Sequence, residues 1–411
     1  MGRTSLIMVV CFNLIFAFMG FGLSRVASDA YQNYVTYYNS TVARQIASSA
    51  ANMAATQITF NPNWRTGYSN IAFNGGKFST TVTDIDSARI QVSVTAAYNS
   101  TTASAKVVLG LSNFSKFAYY SKIEGAIYWI TGDTVWGPFH TQQKLSVSGN
   151  PVFYGKVTAK NGLSKSPASS QPQFNGGFQS GVDINLPTDF SRLKTYAQNG
   201  GRYFNNQDVY LKFNDDATVT YRIGSWTTPP AYTMSVSAFA PNGVMMADNA
   251  NLHIKGVLDG RITISATGSS GASKGNVWVD SSVTYKNDPR QIPGSTNMLG
   301  ICCDNDVVVT DNTNNNPPYP SGTSGVTIDA SMLCRSGGLT AENYNKRGIS
   351  GTLTLLGGVQ QYQRGPVGTF DSNQHINNGF QKNYRYDDRL LVDSPPLYPT
   401  TGSYEVLSWY E

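Results

Sequence analysis

The sequence predicts a mainly β protein with one long N-terminal α-helix, followed by an antiparallel sheet and a β-solenoid head. Three observations lead to this prediction: an uncharged apolar segment opens the chain, a segment without Pro or Gly continues it, and short alternating runs separated by Gly and Asn fill the remainder. Across the 411 residues we expect a helix at 1–58, a sheet at 59–124, a head at 125–370 with an insertion at about 186–240, and an extended tail at 371–411 packed on the head.

The first helical segment, Ser5–Leu23, has no charged residue and lies between Arg3 and Arg25. At about 1.5 Å per residue it is long enough to cross the hydrocarbon core of a bilayer. A cleavable secretory signal is the alternative, although its apolar core normally spans roughly 7–15 residues. We therefore expect an uncleaved helix whose membrane-facing or filament-core side chains are Leu6, Val9, Phe12, Leu14, Phe16, Phe18, Phe21 and Leu23.

The second helical segment lies between Val26 and Ile58 and contains neither Pro nor Gly, the residues that most often end a helix. Apolar and aromatic side chains recur at intervals of three or four, which predicts one packing stripe on a helix that continues the apolar segment. The combined helix would have about fifty residues and a length of roughly 80 Å. The stripe consists of Tyr31, Tyr34, Tyr38, Val42, Ile46, Ala50 and Met53.

The rest of the chain has the pattern of short strands. From Pro62 to about Lys122, period-two alternation interrupted by Asn and Gly predicts an antiparallel meander. From about Gly125, apolar triplets that end at Gly or Asn recur with no helix between them, which favours stacked solenoid coils. The repeat length is irregular, so a β-sandwich of many short strands is the alternative for the head. Inside the insertion, Asp189–Asn199 is helix-like.

Two parts of the chain resemble known families. The uncharged N-terminal segment and its polar continuation Tyr37–Ala54 resemble type IV pilins, in particular their minor-pilin relatives. Phrases such as APNGVMMADNANLHIKGVLDGRITI (Ala240–Ile264) and the closing GSYEVLSWYE resemble a poorly characterised bacterial surface-protein family with a pilin-like N-terminus and a β-helical head. Prepilins are cut after a glycine, so the resemblance implies processing after Gly2. Ile7 would then occupy the fifth position, where pilins usually have glutamate.

The resemblance also implies a function. The chain would be a structural subunit of an extracellular type IV pilus-like filament, held in the inner membrane before assembly, with copies of itself as partners. A minor pilin or a membrane-anchored surface adhesin is the first alternative, with surfaces or glycans as ligands. An anchored carbohydrate-active enzyme is the second alternative, in which Asp304, Asp306 and Arg335 would line an acidic–basic groove.

Composition and motifs argue against several other classes. Lys and Arg number 30 and Asp and Glu 25, spread along the whole chain, which does not suit a nucleic-acid binder. The three His residues are far apart, and no phosphate loop, nucleophile elbow or His-Glu-x-x-His motif occurs. We therefore expect neither catalysis nor a metal or cofactor.

Two features of the head are candidate sites. Aligning Cys303–Val309 with Cys334–Thr340 puts Cys303 and Cys334 in register on adjacent coils, about 4.8 Å apart, and Val308 on Leu339. We expect a Cys303–Cys334 disulfide in an exported chain, with Cys302–Cys334 or buried thiols as alternatives. The Asn- and Pro-rich loop Asp311–Ser324 should project from the head, with Tyr319 as a surface-recognition residue or the loop as a mere spacer.

Overall fold

The computed structural model describes residues 2–86, 89–125, 127–269, 273–316, 325–371 and 375–411. The protein is mainly β with one long N-terminal helix, which confirms the coarse fold class. It divides into two compact units. Unit 1 comprises Met1–Ser112 and Gly402–Glu411, and unit 2 comprises Asn113–Thr401.

Unit 1 begins with helix α1, Gly2–Phe60, and continues as an antiparallel meander. Asn74 and Asn99 adopt positive φ in two of its turns, a conformation that Asn tolerates better than most residues. In one pair of neighbouring strands the register is continuous, from Lys77 opposite Ala97 to Asp84 opposite Ile90. The same face of both strands is therefore buried along the pair. The strands are β1 (Tyr68–Phe73), β2 (Gly76–Asp84), β3 (Arg89–Tyr98) and β4 (Thr101–Asn113).

The C-terminal half of α1 forms the core of unit 1 together with this sheet. Its side of the interface is rich in alanine, which allows the strands to approach the helix backbone closely. Alternate side chains of β2, β3 and β4 point toward it, as the two-residue period of a strand requires. The buried helix residues include Val42, Ile46, Ala47, Ala50, Ala51, Ala54 and Ile58, and their partners on the sheet include Phe78, Ile90, Val92, Val94, Val107 and Leu109.

Unit 2 begins with short strands that form parallel ladders. In each ladder a strand pairs with another about twenty residues further along the chain. Tyr119 lies opposite Phe139, and Phe139 lies opposite Val157. Three ladders run side by side in this way: β5–β8–β11–β14, β6–β9–β12 and β7–β10–β13. The strands are β5 (Tyr119–Ile123), β6 (Trp129–Ile130), β7 (Thr134–Val135), β8 (Phe139–Thr141), β9 (Leu145–Ser148), β10 (Val152–Phe153), β11 (Val157–Ala159), β12 (Leu163–Lys165), β13 (Gln173–Phe174) and β14 (Phe178–Ser180).

The remainder of unit 2 continues with longer steps between parallel partners. Its elements are α2 (Ser191–Gln198), β15 (Arg202–Asn205), β16 (Val209–Phe213), β17 (Thr218–Ile223), β18 (Tyr232–Ser235), α3 (Val236–Phe239), β19 (Val244–Asp248), β20 (Leu252–Leu258), β21 (Arg261–Ala266), β22 (Val277–Tyr285), β23 (Met298–Cys303), β24 (Val307–Val309), β25 (Gly325–Cys334), β26 (Leu339–Ala341), β27 (Ile349–Gln363), β28 (Gly368–Phe370) and β29 (Ile376–Arg385). One parallel ladder is β15–β19–β21–β23–β25–β27, and a second is β16–β20–β22–β24–β26.

Strand β27 joins the early and late ladders. Along Thr352–Leu356 it pairs with β29, and along Val359–Gln363 it pairs with β5, both in parallel. Strands β29 and β5 therefore follow one another along β27, with β29 beside its first part and β5 beside its last part. Chain order and spatial order differ here, because the first strand of unit 2 lies beside one of its last.

Two boundaries differ from the sequence prediction. The final strand, β30 (Thr400–Tyr410), adds to unit 1 beside β4 rather than packing on the head, and its Tyr404 and Trp409 contact the unit 1 core. An open sheet edge next to β4 offers unpaired backbone groups, which an extended segment satisfies. Within the expected insertion, β15 and β16 belong to the parallel ladders, while β16–β17–β18 form an antiparallel excursion.

Candidate functional site

The apolar half of α1 is exposed along its whole length. None of the residues 2–38 is buried, and an 18-residue window there has a mean hydropathy of 2.4. By length and composition this helix can cross a membrane, and no residue of that apolar window is buried against either unit. Gly2 is the first described residue of α1. The eight side chains predicted to face a membrane or a filament core are all exposed, namely Leu6, Val9, Phe12, Leu14, Phe16, Phe18, Phe21 and Leu23.

The structure divides the predicted packing stripe into two groups. Val42, Ile46 and Ala50 are buried in unit 1, whereas Tyr31, Tyr34, Tyr38 and Met53 are exposed. Beyond Ala50 the buried face continues with Ala54, so the stripe advances by four residues where the prediction assumed three. Tyr34 and Tyr38 stack on each other with ring centroids 6.5 Å apart.

The two predicted cysteines lie opposite each other on β23 and β25. Cys303 is in register with Cys334, and a thiol hydrogen bond joins their Sγ atoms at 3.4 Å. All four cysteines are free thiols in this structure, and burial raises the pKa of Cys303 well above its ordinary value. Val307, not Val308, lies opposite Leu339, because the chain takes one more residue to go from Cys334 to the next strand.

The predicted acidic–basic groove is a set of hydrogen bonds that hold turns together. Asp304 Oδ1 accepts from Arg335 Nε at 2.6 Å, and its Oδ2 accepts from the Gly268 amide at 3.0 Å. Asp306 Oδ1 accepts from the Gly338 amide at 2.8 Å. Among the described residues, no group of three or more His, Cys, Asp or Glu side chains is arranged to hold a metal ion.

The described part of the loop 311–324 is packed, which corrects the expectation that the whole loop projects. Asn315 is buried, and its Nδ2 donates to the Val279 carbonyl at 2.7 Å. Arg347 Nη2 in turn donates to the Asn315 carbonyl at 3.2 Å. Side-chain amides here satisfy backbone groups of the neighbouring strand, a role that composition alone does not reveal. Tyr319 lies outside the described residues.

A cavity of about 310 Å³ lies in unit 2, where β5 and β29 meet along β27. Its lining combines aromatic and basic side chains from segments that are far apart in the sequence. Prominent among them are Tyr119, Trp129, Trp136, Arg364, Lys382 and Arg385, with Asp133 as a carboxylate. The sequence alone did not predict this cavity. The available signal was the alternation of basic and aromatic residues in Lys382-Asn383-Tyr384-Arg385.

Both arginines of the cavity lie against tryptophan rings. The guanidinium carbon of Arg364 is 5.0 Å from the Trp129 ring centroid, and that of Arg385 is 4.7 Å from the Trp136 centroid. Trp136 is itself stacked on Tyr154 at 4.5 Å. Arg364 Nη1 is buried and has no hydrogen-bond partner among the described residues. Such contacts restrict the motion of the arginines and reduce their hydration.

The third cation, Lys382, lies within the recess. Solvent reaches its side chain, yet protein atoms surround it on most sides. Burial, and then repulsion from Arg364, lower the pKa of Lys382 to about 7, while Asp133 acts in the opposite direction. Asp133 Oδ2 already accepts a hydrogen bond from the Ile130 amide at 2.8 Å. Burial raises the pKa of the neighbouring Glu124, while the hydrogen bond with Ser121 and the charge of Arg364 act in the opposite direction.

Comparison with known proteins finds a likeness among solved structures. No protein-family model matches the sequence, and no curated protein matches it. Among solved structures, the competence-associated pilin ComZ from Thermus thermophilus is similar over 91% of this chain and 96% of that chain, with 12% identity and a TM-score of 0.40.

Proposed function

We propose that this protein is a subunit of an extracellular type IV pilus-like filament that is anchored in the inner membrane before assembly. The observation that carries the proposal is the division of α1 into a half without buried residues, whose segment Ser5–Leu23 has no charge, and a half that packs on its own sheet. A helix that is apolar on all sides needs lipid or protein around it.

The size of the exposed surface supports this proposal. Fourteen large apolar side chains between Leu6 and Val26 are exposed. Burying one such side chain contributes roughly 1.5–3 kcal/mol, so together they represent on the order of tens of kcal/mol. That exceeds the ~5–15 kcal/mol that typically stabilises a whole domain. A bilayer covers this surface before assembly, and the corresponding helices of other copies cover it in a filament.

Unit 2 would form the outer surface of such a filament. Its parallel ladders, with in-register partners such as Phe139 and Val157, support a β-solenoid for this part of the chain. Stacked coils give a rigid head without a large buried interface to other subunits. The proposal includes no catalysis, since Asp304 and Asp306 both accept hydrogen bonds from the backbone of neighbouring turns.

Electron microscopy of sheared surface material, with antibodies against unit 2, tests this function. We expect fibres labelled along their length and composed mainly of this chain. Label confined to fibre ends, or to membranes without fibres, would instead support the minor-pilin or anchored-adhesin alternative, which the cation-lined cavity favours. A secreted chain that lacks residues 1–23 would contradict both, because it would identify the apolar segment as a cleaved signal.

A further inference from the structure

The cavity between β5, β27 and β29 has a binding chemistry that a filament scaffold does not require. We propose that it binds a sugar ring that carries a carboxylate, either as a free acidic monosaccharide or as one unit of an acidic polysaccharide. This proposal is independent of whether the protein forms filaments, because every lining residue belongs to unit 2.

Charge is the first argument. Arg364, Lys382 and Arg385 line one cavity, and none of them forms an ion pair with another described residue. Arg364 is half-buried, whereas Lys382 and Arg385 are exposed at the mouth of the cavity. A cation that is partly removed from water is normally paired, because losing hydration without a counter-ion is unfavourable. Asp133 acts on Lys382 and Glu124 acts on Arg364, so these two carboxylates balance at most two of the three charges. The cavity therefore favours an anion.

The geometry of the arginines points to a planar anion. The guanidiniums of Arg364 and Arg385 lie against the rings of Trp129 and Trp136, and Nη1 of Arg364 is buried without a hydrogen-bond partner among the described residues. A guanidinium presents paired N–H groups that match the two oxygens of a carboxylate. Lys382 adds a donor without a directional preference.

The polar lining distinguishes a sugar acid from inorganic phosphate. Asp133 can only accept hydrogen bonds, so it suits a neutral hydroxyl group that lies several atoms away from the ligand's negative charge, which a sugar ring provides and the compact phosphate ion does not. Thr134 and Asn383 also line the cavity and can both donate and accept. A ligand with several hydroxyls and one carboxylate uses all of these groups. The volume of about 310 Å³ lies at the lower end of small-ligand pockets and suits one ring.

Isothermal titration calorimetry on the full chain in detergent, at pH 6 and low salt, tests the proposal. The probes are galacturonic acid, its trimer, galactose and inorganic phosphate. We expect both acidic probes to bind at least about tenfold more tightly than galactose or phosphate, which corresponds to one charge-assisted contact. Tighter binding of the trimer identifies a polysaccharide as the source of the sugar, and equal binding identifies a free sugar.

Two variants and a control connect binding to the cavity. Lys382→Met and Arg364→Met should each weaken galacturonic acid binding at least about tenfold, whereas Lys165→Met, at an exposed lysine of β12 outside the lining, should leave it unchanged. Lys382→Met serves as the main variant because its melting temperature should match that of the wild type. The proposal is overturned if neither acidic probe binds at millimolar concentration, if galactose or phosphate binds as tightly, or if Lys382→Met binds normally.

Discussion

The two halves of helix α1 have the same backbone geometry and opposite surroundings. From Gly2 to Tyr38 no residue is buried, while from Asn39 to Ile58 nine residues are buried against the sheet of unit 1. The first half carries Phe, Leu, Ile and Met on every side, and the second carries alanine on one side and polar residues on the other. The comparison shows that high hydrophobicity does not mark the folded core here. The moderately apolar, alanine-rich half makes the intramolecular contacts, and the more apolar half is exposed.

Placing a charge in the exposed half should have the largest effect. Phe16→Glu is expected to abolish surface fibres, because an unpaired charge buried between packed helices is strongly unfavourable. Most of the chain should stay bound to membranes, because an acidic side chain at mid-membrane costs about 2.5–3.5 kcal/mol, far less than burial of the whole apolar segment contributes. Phe16→Leu is the matched control and should assemble normally. Fibre mass in sheared material and the membrane-bound fraction measure the outcome. Normal assembly of Phe16→Glu would mean that this half does not contact other copies.

Truncating one apolar side chain in each half should separate their roles in stability. Ile46→Ala leaves a cavity in the unit 1 core, and we expect a loss of about 2–5 kcal/mol in the free energy of unfolding. Leu14→Ala removes a side chain that contacts no core and should change stability by less than about 0.5 kcal/mol. Denaturant unfolding in detergent, followed by circular dichroism, compares the two. Similar losses in the free energy of unfolding in both variants would contradict the claim that only the second half of α1 stabilises the fold.

The cysteines provide native probes of the same contrast. Cys11 is exposed on the apolar half, whereas Cys302, Cys303 and Cys334 are buried in unit 2. We predict that oxidation during export joins Cys303 and Cys334, which lie in register, and that closing this loop adds about 3–4 kcal/mol of stability. Thiol titration of the denatured, unreduced protein should then find two free thiols, Cys11 and Cys302. Four free thiols would refute the disulfide.

Replacing a carboxylate that is already buried in unit 2 should have the smallest effect. The change in stability shows how much a buried charge costs in this protein, for comparison with the charge introduced at Phe16. Burial raises the pKa of Asp329 to about 6, above roughly 3.9 in an unfolded chain. Between these values the folded state holds more protons, so this group's contribution to stability is complete below about pH 4 and is lost as pH rises through about 6.

Asp329→Asn removes this pH dependence and keeps the acceptor for the Tyr285 amide, which lies 2.8 Å from Oδ2. We expect the variant to gain about 1–3 kcal/mol relative to the wild type between pH 4 and pH 7.5, since one pKa unit corresponds to 1.36 kcal/mol. Unfolding curves of the two proteins at both pH values give this difference. If the free energy of unfolding changes equally with pH in the wild type and the variant, the pKa of Asp329 is not raised in the folded state.

Local patterns predicted several elements because local forces determine them. The absence of Pro and Gly between Val26 and Ile58 predicted a helix to residue 58, and the helix ends at Phe60. The helix-like pattern of Asp189–Asn199 predicted α2 at Ser191–Gln198. The register of Cys303 with Cys334 followed from matching strand phrases. Period-two alternation predicted the antiparallel meander of unit 1.

Pairings between distant segments could not be predicted in the same way. The sequence contains no sign that β30 lies beside β4, or that β5 lies beside β27, since many strands here have compatible alternation. The cavity depends on the second of these pairings, which brings Trp129 close to Arg364 and Trp136 close to Arg385. A candidate site made by such a pairing becomes visible only once the spatial order of the strands is known.

Deleting residues 1–27 tests the central claim most directly. The buried part of α1 starts at Asn39, so the truncated chain keeps the whole unit 1 core and eleven helical residues before it. We predict a soluble monomer without detergent, whose melting temperature lies within about 2 °C of the full chain. A truncated protein that aggregates, or that melts ten or more degrees lower, would show that the apolar half of α1 stabilises the fold and is not reserved for lipid and other copies.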